Sequence, residues 1–421
     1  MSNTRAKQHQ KKRKQARLKS LLDSFKIASK GERKSSKRES SQNYGPDKIV
    51  LFTALILTFF GWIMIYSGSF YVASQRDGTI LHDGNAFHFF IMQGIWILLG
   101  GLLGYIFYRM PIKIINSLAI PGLGVAIALL VIVLLLPGEI NGTKQWILIG
   151  PFSLQPSEIA KPVLVLYLAG LLSKTIEYKK YQDYLEKRLI PAGVIALPLM
   201  VLILVGGDLA ATGVIAVITL VMMFMGDHHK YNHITLVAMV LLATLLGAVF
   251  TMSEGYRMER IENYLQILET GTTENPLSSG YQVTQILTAV GSGGLDGYGF
   301  GQSRQKYFYL QETAFTDTIF AVIAEEFGLI GSLAVVSAYF VLSTRTLKIA
   351  SFADNKNQYL ILVGITAWIF FQSLVHIGVN VGLIPLTGIT LPLMSYGGSS
   401  FIACSVGIGI ILNISKNIKL D

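Results

Sequence analysis

The sequence predicts an all-α integral membrane protein: ten transmembrane helices, a large extracytoplasmic loop between helices 7 and 8, and both termini in the cytoplasm. Three observations lead there. Of 421 residues, 52% are hydrophobic and only 14% charged, against about 25% charged in a soluble domain. Apolar stretches of about 20 residues, enough to cross a bilayer as a helix, recur throughout residues 49–415. Lys and Arg are unevenly shared between alternate connections.

The ten candidate spans are 49–68, 87–108, 115–136, 158–173, 189–206, 210–227, 232–252, 317–343, 358–384 and 396–414. With the amino terminus inside, the inner connections hold Arg109, Lys113, Lys174, Lys179, Lys180, Lys187, Arg188, Lys230, Arg345, Lys348 and Lys356, and the tail adds Lys416 and Lys419. The outer connections hold only Arg76, Lys144, Arg257, Arg260, Arg304 and Lys306. Cationic residues accumulate on the cytoplasmic side, so this orientation is the expected one. No inverted repeat of the kind found in secondary transporters is visible.

Three regions follow. Residues 1–48 contain fifteen Lys and Arg with few apolar residues, which predicts a disordered basic cytoplasmic tail drawn to anionic membrane lipids. It lacks the apolar core of a signal peptide. Residues 49–415 form the membrane domain, including the outer loop 253–316, and residues 416–421 a short cytoplasmic tail. The net charge of +10 is more than accounted for by the first region, so it does not argue for nucleic acid as a partner. The single cysteine, Cys404, rules out an internal disulfide and reads as a small apolar filler.

The outer loop runs into the eighth span through Phe315-Thr316-Asp317-Thr318-Ile319-Phe320-Ala321-Val322-Ile323-Ala324-Glu325-Glu326. Ionisable groups at such depths are costly and mark functional sites. Asp317 opens the helix. It reads as a carboxylate favoured by the helix dipole, with Thr316 as cap, or as a general base at the membrane surface, and the two roles are compatible. Glu325 and Glu326 lie roughly 12–14 Å further into the helix. They read as a buried ion network with Lys161, the only lysine within an apolar span, while Asp208 competes for that cation. Arg257 and Arg260, spaced i, i+3, share a face if their segment is helical and suit a diphosphate. They read equally as interfacial arginines. The glycine-rich run Gly291–Gly301 lacks βαβ context and predicts close backbone approach instead. The histidines show no metal spacing, and His376 reads as a buried hydrogen-bonded group. No ATP is available outside the membrane, so an activated substrate must arrive through the lipid.

Several motifs agree in order. Asn141-Gly142-Thr143-Lys144-Gln145-Trp146-Ile147 precedes Gln155-Pro156-Ser157-Glu158. Asp208-Leu209-Ala210-Ala211 follows, then Gly280-Tyr281-Gln282 and Gly291-Ser292-Gly293-Gly294-Leu295. Phe320–Glu326 and Leu391-Pro392-Leu393-Met394-Ser395-Tyr396-Gly397-Gly398-Ser399-Ser400 complete the set. Over roughly residues 50–415 the chain resembles the SEDS family (the FtsW/RodA/SpoVE proteins of shape, elongation, division and sporulation), and is most like its FtsW branch. It departs from the family pattern before Asp317. There Gln311 stands for proline, Phe315 for histidine, and one residue is inserted. Gly207 replaces the proline before Asp208, and Ala210 a glycine.

The resemblance implies a peptidoglycan glycosyltransferase that polymerises lipid II at the outer face of the cytoplasmic membrane. Its partners would be a class B penicillin-binding protein and membrane proteins of the division complex, enriched at the septum. It implies Asp317 as the catalytic residue, with Trp146, Lys144, Gln282, Glu312 and Ser399 joining Arg257 and Arg260 as substrate-binding candidates. No cofactor is required by the motifs; a divalent cation (Mg or Mn) is a candidate for the leaving diphosphate. Two other classes fit the composition: a lipid II flippase using Lys161, Glu325 and Glu326, and a non-catalytic division scaffold recruited through the basic tail.

Overall fold

The structure, a computed structural model, describes residues 44–75, 84–138, 143–150, 152–174, 176, 181–226, 255–270 and 279–419. Residues Pro46–Ser415 form one compact unit. The chain ends form a second, in which the Tyr44 N–H donates to the Lys416 carbonyl at 2.8 Å.

The order of elements begins α1 (Lys48–Ser74), α2 (His88–Arg109), α3 (Ile112–Ser117), α4 (Ala119–Leu135), β1 (Ile147–Ile149), β2 (Phe152–Leu154) and α5 (Pro156–Leu172). It continues with α6 (Tyr181–Val205, through a π turn at Leu185–Leu189), α7 (Leu209–Gly226), α8 (Gly255–Thr270), α9 (Ser279–Ser292) and α10 (Gln305–Phe308). A 3₁₀ turn at Gln311–Thr313 leads to α11 (Ile319–Ser351), α12 (Lys356–Asn380) and α13 (Gly398–Ser415). Among the described residues, seven helices are long and apolar enough to cross a membrane: α1, α2, α6, α7, α11, α12 and α13. α4 is apolar but shorter, at 17 residues.

Differences from the expected spans have local causes. The third segment is two helices, α3 and α4, meeting at Leu118. The fifth starts earlier, at Tyr181. Pro191 has no N–H to give the fourth carbonyl behind it, and the turn there widens to π geometry. Arg188, buried on that turn, donates to the carbonyls of Leu171 and Lys174 at the end of α5, which satisfies orphan acceptors. The expected seventh span, 232–252, lies outside the described residues. The segment expected as an outer loop, 253–316, is not plain loop: α8, α9 and α10 occupy much of it.

α5, α12 and α13 are largely buried, whereas α2 leaves Leu98, Leu102 and Tyr105 exposed. α2 runs against α13 through glycines. A Cβ on Gly409 would lie 2.2 Å from the Gly104 carbonyl, and one on Gly104 2.8 Å from the Ser405 carbonyl. Small residues at such crossings let membrane helices pack closely. At one end of the bundle Asp47 caps α1, accepting from the Val50 N–H at 3.0 Å, and forms a salt bridge with Arg345 near the end of α11 at 2.8 Å. Its own N–H donates to Ser415 on α13 at 3.0 Å.

α11 is broken at Gly328, whose φ of 62° and ψ of −158° only glycine adopts readily. The break frees backbone groups, and the glycine-rich turn after α9 takes them. Tyr298 and Gly299 N–H donate to the Glu325 and Glu326 carbonyls at 3.0 and 2.9 Å. Leu329 and Ile330 N–H donate to the Gly294 and Leu295 carbonyls at 2.9 and 3.2 Å. A Cβ on Gly328 would sit 2.4 Å from the Leu295 carbonyl. Gly328→Ala is therefore expected to cost at least the roughly 1–3 kcal/mol of such backbone strain, read as a lower melting temperature in detergent.

Candidate active site

Asp317 lies in a turn before α11 rather than in its first helical turn, and its side chain is half-buried. The backbone around it is held from three directions. The Ser395 hydroxyl donates to the Thr316 carbonyl at 2.7 Å, and the Tyr396 N–H to the Phe315 carbonyl at 2.9 Å. The Asn380 amide donates to the Asp317 carbonyl at 3.1 Å, and its oxygen accepts from the Ala321 N–H at 3.2 Å. Thr316 is not the helix cap, because its hydroxyl reaches back to Thr313 at 3.4 Å. Thr318 holds the cap position, with its hydroxyl on the Thr313 carbonyl at 2.8 Å. Gln282, on α9, donates to the Thr313 hydroxyl at 3.2 Å, so it borders the same turn. The nearest part of Gly388 that a side chain would occupy is 3.5 Å from Asp317 Oδ2.

Asn380 is one of three buried polar groups spaced four apart on α12, with Gln372 and His376. Residues four apart share a helix face, and this face meets the segment Thr387–Tyr396. Gln372 donates to the Thr390 carbonyl at 3.0 Å, and His376 Nδ1 lies 2.7 Å from the Ile389 carbonyl. Asn380→Leu removes the tie to Asp317 and leaves the buried Ala321 N–H without its side-chain acceptor. A loss of about 1–3 kcal/mol in stability is expected, with reduced turnover, measured by thermal unfolding and by rate on the same preparation.

The expected intramembrane ion network divides in two. Lys161 pairs with Glu158, one turn back on α5, at 2.6 Å, and donates to Gln372 at 2.9 Å. It does not pair with Glu325 or Glu326. Asp208 stays on Lys161's side of the division, taking the Gln155 amide at 3.1 Å and the Ala211 N–H at 2.8 Å. The cation for Glu326 is Lys306, at 2.6 Å, with the Ser67 hydroxyl of α1 at 2.7 Å. Among the described residues Glu325 meets no cation. It accepts from the Ser303 hydroxyl at 2.5 Å and the Arg304 N–H at 2.8 Å. The two carboxylates are adjacent and point about 100° apart, so one faces α1 and the other the turn 303–305. Lys306 is fully buried, and this burial lowers its pKa despite the neighbouring carboxylates.

The remaining expected site residues fall as follows. Lys144 and Trp146 are half-buried just before the β1–β2 hairpin, where the Lys144 N–H donates to the Gly206 carbonyl at 3.0 Å. The Ser399 hydroxyl is buried and engaged, accepting from the Gln155 N–H at 3.0 Å and donating to the Ser153 carbonyl at 3.2 Å. It fastens the hairpin to α13. Arg257 and Arg260 lie on α8 and Glu312 on the 3₁₀ turn; their side chains lie outside the described part. No group of three or more His, Cys, Asp or Glu among the described residues could hold a metal ion. Sequence reasoning missed Lys306 and Asn380. The four-residue spacing of Gln372, His376 and Asn380 was a usable signal for the second. Nothing local marked the first.

Comparison with known proteins places most of the chain beside one family. The FtsW/RodA/SpoVE family model, described as a cell cycle protein, matches residues 47–420. A protein of Nitrosomonas europaea named probable peptidoglycan glycosyltransferase FtsW is 36% identical over 380 residues, covering 89% of this chain and 94% of that one. Stage V sporulation protein E of Bacillus subtilis is 35% identical over 391 residues, covering 90% and 99%. A solved chain from a peptidoglycan synthase complex, described as coordinating polymerization and crosslinking, superposes with a TM-score of 0.68 at 26% identity, covering 88% of this chain and 97% of its own. The rod shape determining protein RodA of Thermus thermophilus gives 0.61 at 26% identity, covering 89% and 98%. With the Asp317 turn fixed by the Ser395-Tyr396 and Asn380 contacts, and a family match spanning nearly the whole membrane domain, this chain belongs to the FtsW/RodA/SpoVE family and is most like FtsW.

Proposed function

We propose that the chain is a peptidoglycan glycosyltransferase that polymerises lipid II at the outer face of the cytoplasmic membrane during septal synthesis. It works beside a class B penicillin-binding protein and division-complex membrane proteins. In this reading it has ten spans with both termini inside, a basic tail at residues 1–48, and residues 253–316 outside. The observation that carries the reading is the Asp317 turn. Three sets of backbone contacts fix it while the carboxylate stays half-buried at the mouth of α11. The names of the relatives and the solved synthase complex support the same reaction class.

The chemistry needs few parts. Asp317 takes the proton from the acceptor sugar's 4-hydroxyl, a step typically contributing 10²–10⁴-fold, by the order of magnitude of general-base catalysis. The oxygen forms its bond to the anomeric carbon of the growing chain. The bond from that carbon to the diphosphate oxygen breaks, and the polyprenyl diphosphate leaves with the electron pair. Arg257 and Arg260 on α8 are assigned the developing negative charge. Lys144, Trp146, Gln282 and Glu312 are assigned to sugar binding, and Ser399 acts through the hairpin that follows Trp146. A divalent cation, Mg or Mn, would serve the same diphosphate, and no step depends on it.

The carrier reading needs Lys161, Glu325 and Glu326 along one path. Lys161 is closed on Glu158, and Glu326 on Lys306, which weighs against it. The deciding experiment reconstitutes the chain with its class B transpeptidase in liposomes and supplies lipid II from outside. Glycan strands on a gel are expected. Translocation of labelled lipid II without strands would favour the carrier, and neither product the scaffold.

A further inference from the structure

Most tightly placed glycines in this fold are explained by packing. A Cβ on Gly293, Gly297 or Gly328 would come within 2.0–2.4 Å of backbone on the facing segment. Gly388 is different. It is exposed, and its φ lies outside the range that favours glycine. Among the described residues, its chain neighbours aside, only Asp317 lies within 4 Å of where its Cβ would be, with Oδ2 at 3.5 Å and Cγ at 4.0 Å. A methyl group there meets no other described residue beyond its chain neighbours. Glycine is nonetheless the residue that loses most conformational freedom on folding. A position of this kind ordinarily gains stability from alanine. The one thing kept clear by the missing side chain is the approach to the carboxylate.

The geometry points to Gly388 as the residue that sets access to Asp317: its bare backbone forms the floor of the space in which the acceptor sugar presents its hydroxyl. The inference rests on Asp317 as the base. It extends that reading by naming a specificity-determining position on a different segment, between α12 and α13. A sugar ring must bring its hydroxyl to about 2.6–3.2 Å from the carboxylate. A side chain larger than methyl at Gly388 fills that distance first.

The test uses the full chain with its transpeptidase and compares Gly388→Ala, Gly388→Val and Asp317→Asn. Initial rates of lipid II polymerisation over a range of lipid II concentrations are read beside melting temperatures in detergent. Gly388→Ala is expected to melt at or above the wild-type temperature with turnover several-fold lower. Gly388→Val is expected to melt near wild type with at least a hundredfold loss of rate. A folded Gly388→Val enzyme within twofold of wild type, alongside an inactive Asp317→Asn enzyme, overturns the role of Gly388 alone. An active Asp317→Asn enzyme overturns the assignment of the base instead. If the valine variant does not fold, the alanine variant decides: wild-type turnover overturns the inference.

Discussion

Replacing Asp317 with Asn is expected to lower lipid II polymerisation by about 10²–10⁴-fold, the usual contribution of a positioned general base, while leaving the fold intact. The substitution keeps the side chain's size and shape while removing its negative charge and its capacity to take a proton. The contacts that hold the turn run through backbone atoms: the carbonyls of Phe315, Thr316 and Asp317 accept from Tyr396, Ser395 and Asn380. None of these contacts uses the carboxylate, so the turn they hold is expected to persist while rate collapses. Gel analysis of strands made from purified lipid II, with circular dichroism melting on the same samples, checks both halves. A fall in both together would mean that the carboxylate serves the fold, as the helix-dipole reading of this residue had it.

Lys306→Met is expected to destabilise the protein by about 3–5 kcal/mol, the cost of removing one partner from a buried ion pair. Both groups are fully buried: Lys306 meets Glu326 at 2.6 Å, and the Ser67 hydroxyl completes the cluster. Taking away the cation leaves the carboxylate with the Ser67 hydroxyl and a weak Ser303 N–H at 3.4 Å. The penalty comes mostly from the stranded charge and not from the lost attraction. Lys306→Met combined with Glu326→Gln should therefore recover much of the loss, since it deletes the charge as well. A double-mutant cycle of thermal unfolding in detergent measures this. Simple additivity of the two single changes would show that the pair is not coupled.

Much of the fold is legible in the sequence because membrane helices announce themselves by length and apolarity. Nine of the ten expected segments fall on described helices; two boundary differences arise at Leu118 and Pro191, where local backbone chemistry rather than hydropathy decides, while α1 and α11 run past their expected ends to Ser74 and Ser351. The close approach expected of the glycine-rich run is present at Gly293, Gly297 and Gly328. The pairing of the buried charges was not legible. Lys306 belongs to a polar stretch with nothing to distinguish it from its neighbours, and only the return of that stretch onto α11 brings it to Glu326. Lys161 has a carboxylate one helical turn away in Glu158, so its partner follows from i, i+3 spacing. That local pair takes precedence over the distant one inferred from membrane depth. The contacts to the backbone of Phe315–Asp317 come from α12 and the segment before α13, more than 60 residues downstream, which no local pattern connects to it.

The break at Gly328 also separates two mechanical tasks. An unbroken α11 would couple any tilt of its inner two-thirds straight to Asp317. Instead the outer piece, Ile319–Phe327, is about 14 Å of rod bonded sideways to Tyr298, Gly299, Ser303 and Arg304. The carboxylate thus rides with residues 298–304, and the long remainder of the helix moves with the rest of the bundle. A force applied at residues 298–304 would reach Asp317 through a short, stiff arm, whereas bending of the bundle beyond Gly328 would be absorbed at one glycine.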